Sequence, residues 1–197
     1  MNAQELSALL GRKFWLEESE VPWLYGKAKD AEKLIVEIGA AYGGSAALWL
    51  LGKRPGVQVV SVDAFVEDPS THFRASAAEC LTAVHRAVGK TLYLDWTLIA
   101  RPSVKAVAGW TTPIGLLYLD GDHHYESVKK DFEIWTPYLL PGASIILHDS
   151  RRLPDANPRV FARGWQGPTR LVSELVNGGQ YRIVDERFSM SELRHTR

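Results

Sequence analysis

Residues 34–51, LIVEIGAAYGGSAALWLL, decide the fold of this chain. The stretch opens with a short apolar run that suits a buried strand, passes through a glycine-rich turn, and continues from Ser45 as an apolar run of helical length. A second run at residues 57–62 is rich in β-branched side chains and predicts the next strand. A strand, a helix and a strand in this order predict a βαβ unit with parallel strands.

The rest of the sequence continues the alternation of strands and helices. Further strands are predicted at residues 97–100, 116–120 and 144–147, and helices at residues 75–88, 103–109, 125–138 and 169–176. Pro141-Gly142 predicts a turn before the fifth strand, and residues 181–184 with the region of Phe188 predict an antiparallel hairpin. We therefore expect an α/β fold, Rossmann-like and doubly wound, with a mostly parallel sheet, helices on both faces and an antiparallel C-terminal hairpin.

Length and composition predict one soluble domain. The 197 residues suit a single domain over residues 1–197, with an N-terminal helical lid at residues 1–30 and a substrate-side loop at residues 151–168. Lys and Arg together number 23, as do Asp and Glu, so charge gives no reason to expect nucleic acid or an anionic membrane as a partner. The single cysteine and the lack of a leader or a long apolar run predict a cytoplasmic setting. The sequence leaves open whether the protein forms a homo-oligomer.

The glycine loop predicts a nucleoside site. Read from Gly39, the dinucleotide pattern requires glycine at positions 41 and 44; Gly44 matches, but position 41 is Ala41. Because that middle glycine makes room for a pyrophosphate, its absence favours a ligand with an adenosine and no pyrophosphate. Asp63, after the second strand, is placed to accept two hydrogen bonds from a ribose. The alternative is that the glycines serve only the turn and that Asp63 caps a loop.

A second polar motif follows the predicted fourth strand. Residues 116–125, LLYLDGDHHY, place two acids and two histidines just beyond the strand's carboxyl end, the rim where open α/β sheets bind ligands. The fifth strand ends in His148-Asp149. Because neighbouring strands lie about 4.8 Å apart, Asp120 and Asp149 could face one another, and two carboxylates suit a hard divalent cation.

Taken together, these motifs resemble the class I S-adenosylmethionine-dependent methyltransferases, within them the small-molecule and sugar O-methyltransferases with a DGDHxY motif. The resemblance covers about residues 35–150. The matching pieces are VEIG at residues 36–39 with Gly43 and Ser45, residues 60–63, DGDH at residues 120–123 with Tyr125, and LPG at residues 140–142 leading to His148-Asp149.

The resemblance implies S-adenosylmethionine as the cofactor. Asp63 would bind its ribose and Ser103 would line its adenine, while the glycine loop would border the methionine part. The cofactor-binding residues implied in this way are Glu37, Gly39, Ala41, Gly43, Ser45, Asp63, Ser103 and Asp120.

The resemblance also implies a reaction centre. Asp120, His148 and Asp149 would hold magnesium, and His123, with Asp120, would be catalytic, His123 as the base. The family has an acid where this chain has His148. Because histidine is a poorer magnesium ligand than a carboxylate, a softer divalent cation is as good an expectation as Mg²⁺.

The expected activity is methyl transfer to a hydroxyl of a small molecule such as a sugar, a polyketide or a phenolic. The alternatives are an NAD(P)-dependent oxidoreductase and a non-catalytic nucleoside-binding Rossmann module. The arginine-rich stretch at residues 151–170 either grips an anionic substrate or is a solvated loop. Likewise, Trp15, Trp23 and Tyr25 either stack on the substrate or anchor the N-terminal helix. Four tryptophans are assigned to the core: Trp49, Trp96, Trp110 and Trp135.

Overall fold

The structure is a computed structural model that describes residues 1–67, 74–151 and 165–196. Its strands are β1 (Leu34–Ile38), β2 (Gln58–Asp63), β3 (Trp96–Ala100), β4 (Ile114–Leu119), β5 (Leu139–Leu147), β6 (Tyr181–Arg187) and β7 (Met190–His195). Its helices are α1 (Ala3–Leu10), α2 (Glu20–Asp30), α3 (Gly44–Gly52), α4 (Ala77–Tyr93), α5 (Ser103–Ala106), α6 (Tyr125–Trp135) and α7 (Gln166–Asn177), with a 3₁₀ turn at Thr136–Tyr138.

Within the described residues the strands form one seven-stranded sheet in the order β3-β2-β1-β4-β5-β7-β6. Strands β1 to β5 pair in parallel, whereas β7 pairs antiparallel with both β5 and β6. The chain order reverses between β1 and β4, so the carboxyl ends of these two central strands border the crevice in which such sheets bind ligands. The predicted fold, including the antiparallel hairpin, is confirmed.

Helices cover both faces of the sheet because alternate side chains of each strand point to opposite sides. Ile35 packs in a core with α1, α2, α3 and α4, whereas its neighbour Val36 packs in a second core with α6 and α7. The predicted core tryptophans behave as expected: Trp49, Trp96 and Trp135 are buried, and the half-buried Trp110 packs edge-on against Trp135.

Two local predictions at the ends of strands were wrong. Pro141-Gly142 does not precede β5 but lies inside it, in an irregularity where the pairing passes from Ile114–Leu139 to Leu116–Ser144. Gly142, with φ 78°, supplies the backbone turn there, and regular pairing resumes at Ser144, the residue predicted to begin the strand. Phe188 has φ 47° and lies in the turn between β6 and β7 rather than in an extended segment.

Helix α2 is joined to the C-terminal hairpin by ion pairs and a hydrogen bond. The Lys27 ammonium lies 2.6 Å from an Asp185 oxygen and 2.5 Å from an oxygen of Glu192, whose side chain is 2% exposed. Trp23 donates its indole N–H to the same Asp185 oxygen at 2.9 Å. Trp23 and Tyr25 are partly buried against the core, so they anchor this segment, whereas Trp15 is 70% exposed. The lid role of residues 1–30 stays a prediction.

Much of the arginine-rich stretch lies outside the described residues, including Arg152, Arg159 and Arg163, so its substrate role also stays a prediction. None of the helices in the described ranges is long and apolar enough to cross a membrane.

Replacing Lys27 by methionine should destabilise the protein. The substitution removes a cation from the buried Glu192 carboxylate, and Ser144 and Arg194 compensate only in part. We expect the free energy of unfolding, measured in urea, to fall by about 2 kcal/mol. Lys29→Met is the control on the same helix, since Lys29 lies over the Tyr25 ring, and should cost about 0.5 kcal/mol or less. Equal losses in the two variants would contradict the role given to Lys27.

Candidate active site

The loop after β1 passes so close to the end of β4 that only glycine fits at position 39. Gly39 has φ 95°, and a Cβ there would lie 2.0 Å from the carbonyl oxygen of Asp120. The Asp120 N–H donates to the carbonyl of Ile38 at 2.8 Å, which fixes the two strand ends against each other. The glycine loop and the Asp120 motif, predicted separately, are therefore one site.

Asp63 holds the loop in place. One carboxylate oxygen accepts the backbone N–H groups of Ala40 and Ala41 at 2.9 and 2.8 Å, and the other accepts the N–H of Phe65 at 2.6 Å. Ala41 has φ 45°, a left-handed conformation that these bonds help to maintain. The oxygen bonded to Phe65 can accept one further bond, whereas the other already accepts two, and ribose binding by Asp63 stays a prediction.

A small cavity of about 30 Å³ opens on the loop. Its far wall is the segment at residues 14–16, in front of α2, which covers the loop. Four of the predicted cofactor residues line this cavity, namely Gly39, Ala41, Ser45 and Asp120. The other four lie outside its lining, namely Glu37, Gly43, Asp63 and Ser103.

Glu37 lies beneath the loop with no exposed surface. Its carboxylate accepts hydrogen bonds from the Trp49 indole at 3.0 Å and from the Ser61 hydroxyl, which in turn accepts the Trp96 indole N–H at 2.7 Å. Burial raises the pKa of Glu37 from 4.5 to about 7, although these donors oppose the shift. Glu37 is thus a buried support for the loop, and a contact with the cofactor stays a prediction.

Ser103, the predicted adenine residue, begins α5 and accepts the indole N–H of Trp135 at 2.7 Å. Close by, burial raises the pKa of Asp131 from 3.8 to about 6, and the neighbouring Asp122 carboxylate adds to the effect while Ser103 opposes it. That Ser103 lines the adenine of the cofactor stays a prediction.

The second constellation is a closed ring of four donor atoms at the ends of β4 and β5, which we call the four-donor ring. His148 Nδ1 lies 3.0 Å from Asp120 Oδ1 and 3.3 Å from Asp149 Oδ2. His123 Nε2 completes the ring at 3.1 Å from Asp149 Oδ2 and 3.9 Å from Asp120 Oδ1. The donor atoms of Asp120, His123 and His148 all lie within 4.8 Å of one another.

The ring has the size and the chemistry of a cation site. Its donor atoms lie 3.0 to 3.9 Å from their neighbours in the ring, close enough to share a divalent cation, whose usual distance to nitrogen or oxygen is about 2.0–2.6 Å. His123 Nε2 and both ring nitrogens of His148 are buried, yet none makes an aligned hydrogen bond with any described residue. Buried polar nitrogens without a hydrogen bond usually interact with a water or an ion. The residues present therefore fit a divalent cation.

Charge within the ring is strongly coupled. Burial lowers the pKa of His148, but the carboxylates of Asp120 and Asp149 more than reverse this and hold it well above its usual range. Burial raises the pKa of Asp149, but the two histidines bring it far below its usual range. The cluster favours positive charge at its centre, whether carried by protons or by a metal.

The members of the ring differ in access. The His123 side chain is 30% exposed, compared with 21% for Asp120, 9% for His148 and 7% for Asp149. The neighbouring His124 lies outside the ring, with Nδ1 2.6 Å from Asp122 and a side chain that is 70% exposed. His123 is thus the ring histidine with the more exposed side chain, although its Nε2 is buried.

Sequence reasoning missed two residues that touch the ring. Tyr118 donates its hydroxyl to Asp120 Oδ2 at 3.0 Å, and Glu20 lies 3.4 Å from His148 Nε2. Tyr118 could have been suspected as a polar side chain in an otherwise apolar strand two residues before Asp120. Nothing in the sequence around Glu20 indicates its contact, because more than a hundred residues separate it from His148.

The close approach at Gly39 gives a stability prediction with a matched control. Gly56 has a similar φ of 85° but open space around it, so Gly56→Ala should cost only left-handed strain, about 1 kcal/mol. Gly39→Ala adds overlap with the Asp120 carbonyl and should cost about 1–3 kcal/mol more in urea unfolding. Equal costs would show that the loop can move away from β4.

Glu37 predicts a pH dependence of stability. Its pKa is about 7 in the folded chain and near 4.5 when unfolded, so the folded state binds the extra proton between these values. Stability should therefore fall as pH rises through that window, by about 3 kcal/mol in total. The free energy of unfolding is measured in urea at pH 5 and pH 8. In Glu37→Gln this decrease between the two pH values should be absent. If the free energy of unfolding depended on pH in the same way in the variant and the wild type, Glu37 would not be the cause.

The sequence of this chain is similar to a known protein family and to a curated protein. The methyltransferase domain family model matches residues 36–150, more than half of the chain. The uncharacterized protein y4gI of Sinorhizobium fredii is 46% identical over 37 residues, which are 19% of this chain and 4% of that protein. This chain thus spans only a small part of that curated relative.

Solved structures resemble the whole chain. The SAH-bound methyltransferase PaMTH1 of Podospora anserina superposes with a TM-score of 0.71 at 18% identity, covering 98% of this chain and 87% of that one. The O-methyltransferase TomG of Streptomyces achromogenes, in complex with SAM, gives 0.68 at 13% identity, covering 99% and 88%. At such identities the likeness shows a shared fold. The match over residues 36–150 shows more: the chain belongs to the methyltransferase domain family.

Proposed function

We propose that this methyltransferase transfers the methyl group of S-adenosylmethionine to a hydroxyl of a small molecule. One observation carries the proposal: Asp120 belongs to both constellations. Its backbone lies against Gly39 of the glycine loop and it lines the cavity there, while its carboxylate is part of the four-donor ring. A donor bound at the loop and an acceptor bound at the ring would therefore meet at one strand end.

The loop suits the methionine end of the cofactor. When bound, S-adenosylmethionine supplies an electrophilic methyl group on a sulfonium. The amino terminus of α3 offers free backbone N–H groups and a positive dipole end to a carboxylate. The SAH-bound PaMTH1 and TomG in complex with SAM share this fold and support the assignment.

His123 is the base in this proposal. Its side chain is the most exposed in the ring, and Asp149 faces its buried Nε2 at 3.1 Å. His123 would accept the proton of the acceptor hydroxyl as that oxygen takes the methyl group, and S-adenosylhomocysteine would be the other product. Positioning the two reactants supplies much of the acceleration, and the base adds about 100- to 10,000-fold.

Asp120, His148 and Asp149 would hold a divalent cation in the ring. The cation would lower the pKa of the acceptor hydroxyl. Because one of these ligands is an imidazole nitrogen, the set suits Mn²⁺, Co²⁺ or Zn²⁺ at least as well as Mg²⁺. Among the ring members His148 and Asp149 are the most buried, as expected of ligands rather than of groups that meet substrate.

The acceptor class follows from charge and from the cover of the site. A chain with no net charge has no general attraction for nucleic acid, so we propose a small neutral or weakly charged acceptor such as a sugar, a polyketide or a phenolic.

The single, buried cysteine fits a reducing, cytoplasmic setting.

An NAD(P)-dependent oxidoreductase is the second candidate, because the βαβ unit and its loop are present. Ala41 argues against it, since a methyl group stands where a pyrophosphate requires glycine. A non-catalytic nucleoside-binding module is the third candidate, and a base within reach of the cofactor loop argues against it.

Calorimetry with S-adenosylhomocysteine and with NAD tests the cofactor. We expect tight binding of S-adenosylhomocysteine and no binding of NAD. Binding of NAD alone would favour the oxidoreductase over the proposed methyl transfer. Transfer of a labelled methyl group to a panel of catechols, sugars and polyketides then identifies the acceptor.

His123→Ala should lower the turnover number by about 100- to 10,000-fold with the best acceptor of that panel, while the affinity for S-adenosylhomocysteine stays unchanged. His124→Ala is the matched control, because this neighbouring histidine is exposed and faces Asp122, and it should retain turnover. Equal turnover in both variants would rule out His123 as the base.

A further inference from the structure

Glu20 reaches the four-donor ring from a distant part of the chain. It is the first residue of α2 and has no exposed surface. Its Oε2 lies 3.4 Å from Nε2 of His148, the nitrogen that faces away from the ring. A buried carboxylate therefore lies behind the most enclosed histidine of the site.

Glu20 is itself held firmly. Its Oε1 accepts the backbone N–H of Ser189 at 3.1 Å and the hydroxyl of Ser189 at 2.6 Å, and its Oε2 accepts the N–H of Glu17 at 2.8 Å. The carboxylate is thus held by three hydrogen bonds in a position beside the imidazole.

The two nitrogens of His148 face different partners. Nδ1 looks into the ring, 3.0 Å from Asp120 and 3.3 Å from Asp149, while Nε2 looks at Glu20. Histidines that bind metals almost always donate their other ring N–H to a carboxylate or a carbonyl, which fixes the tautomer and the ring orientation and increases ligand basicity. Glu20 lies on the side of His148 where such a carboxylate would stand, 3.4 Å from Nε2, although the two atoms are not aligned as a hydrogen bond.

We propose that Glu20 is a positioning residue that holds the His148 ring with Nδ1 directed at the cation site. The inference rests on the cation site of the proposed function and adds a partner outside the family-matched region, which begins at residue 36. It also gives the N-terminal segment a role at the site beyond covering it. Helix α2 and the β6–β7 turn together bring this carboxylate to the ring, since Ser189 of that turn holds Glu20.

The test is Mn²⁺ binding to metal-free protein, measured by calorimetry without cofactor. Glu20→Gln should bind Mn²⁺ about 10- to 100-fold more weakly than the wild type. Glu192→Gln is the matched control, because it also removes a buried carboxylate from the contact between α2 and the hairpin but does not touch the ring, and it should retain Mn²⁺ affinity. Wild-type affinity in Glu20→Gln, or no Mn²⁺ binding by the wild type, would overturn the proposal.

Two further variants separate positioning from folding. Ser189→Ala keeps the Glu20 charge but removes its hydroxyl donor, and should weaken Mn²⁺ binding several-fold even if Glu20→Gln does not fold. In a His148→Ala background Glu20→Gln should have no additional effect, whereas an added loss would mean that Glu20 does not act through His148. Binding of S-adenosylhomocysteine, measured separately, should be the same in all variants, so a failed cofactor assignment is distinguishable from a failed role for Glu20.

Discussion

The contact between Gly39 and the backbone of Asp120 is the constraint on which the rest of the site depends. A side chain at position 39 would occupy the space of the Asp120 carbonyl, so the turn after β1 and the end of β4 can meet only through a glycine. That contact places the cofactor loop beside the carboxylate of Asp120. It joins two motifs separated by about eighty residues into one crevice, and every proposed step of methyl transfer takes place across it.

Three buried carboxylates, Glu20, Glu37 and Glu192, are each stabilised differently. Glu37 lies under the loop with neutral donors only, and its raised pKa reflects that lack of a cation. Glu192 has Lys27 as its counter-ion, and Glu20 has His148. Burying a charge without a partner is costly, so these pairs specify how α2 and the hairpin meet as much as they stabilise it. Of these pairs, only that of Glu20 and His148 reaches the ring.

Within the ring, His148 in place of an acid changes the charge balance. An acid at position 148 would give three carboxylates with one histidine, a more negative cluster that needs more protons or a cation to balance its charge. The imidazole also has a second nitrogen, which allows the protein to control its orientation from behind through Glu20. A carboxylate ligand at position 148 would offer no ring N–H for such a contact.

Local sequence pattern determined the alternation of strands and helices, the glycine loop and the polar motifs at the ends of β4 and β5, because these depend on periodicity and on which residue types suit a strand end. It also placed Asp120, His148 and Asp149 on one rim, since parallel strands end together. Tertiary structure alone decided that Asp63 supports the loop backbone, that Glu37 lies below the loop, and that His123 closes the ring. It alone brought Glu20 to His148, because such a contact arises from the packing of α2 against the hairpin, which no local pattern encodes.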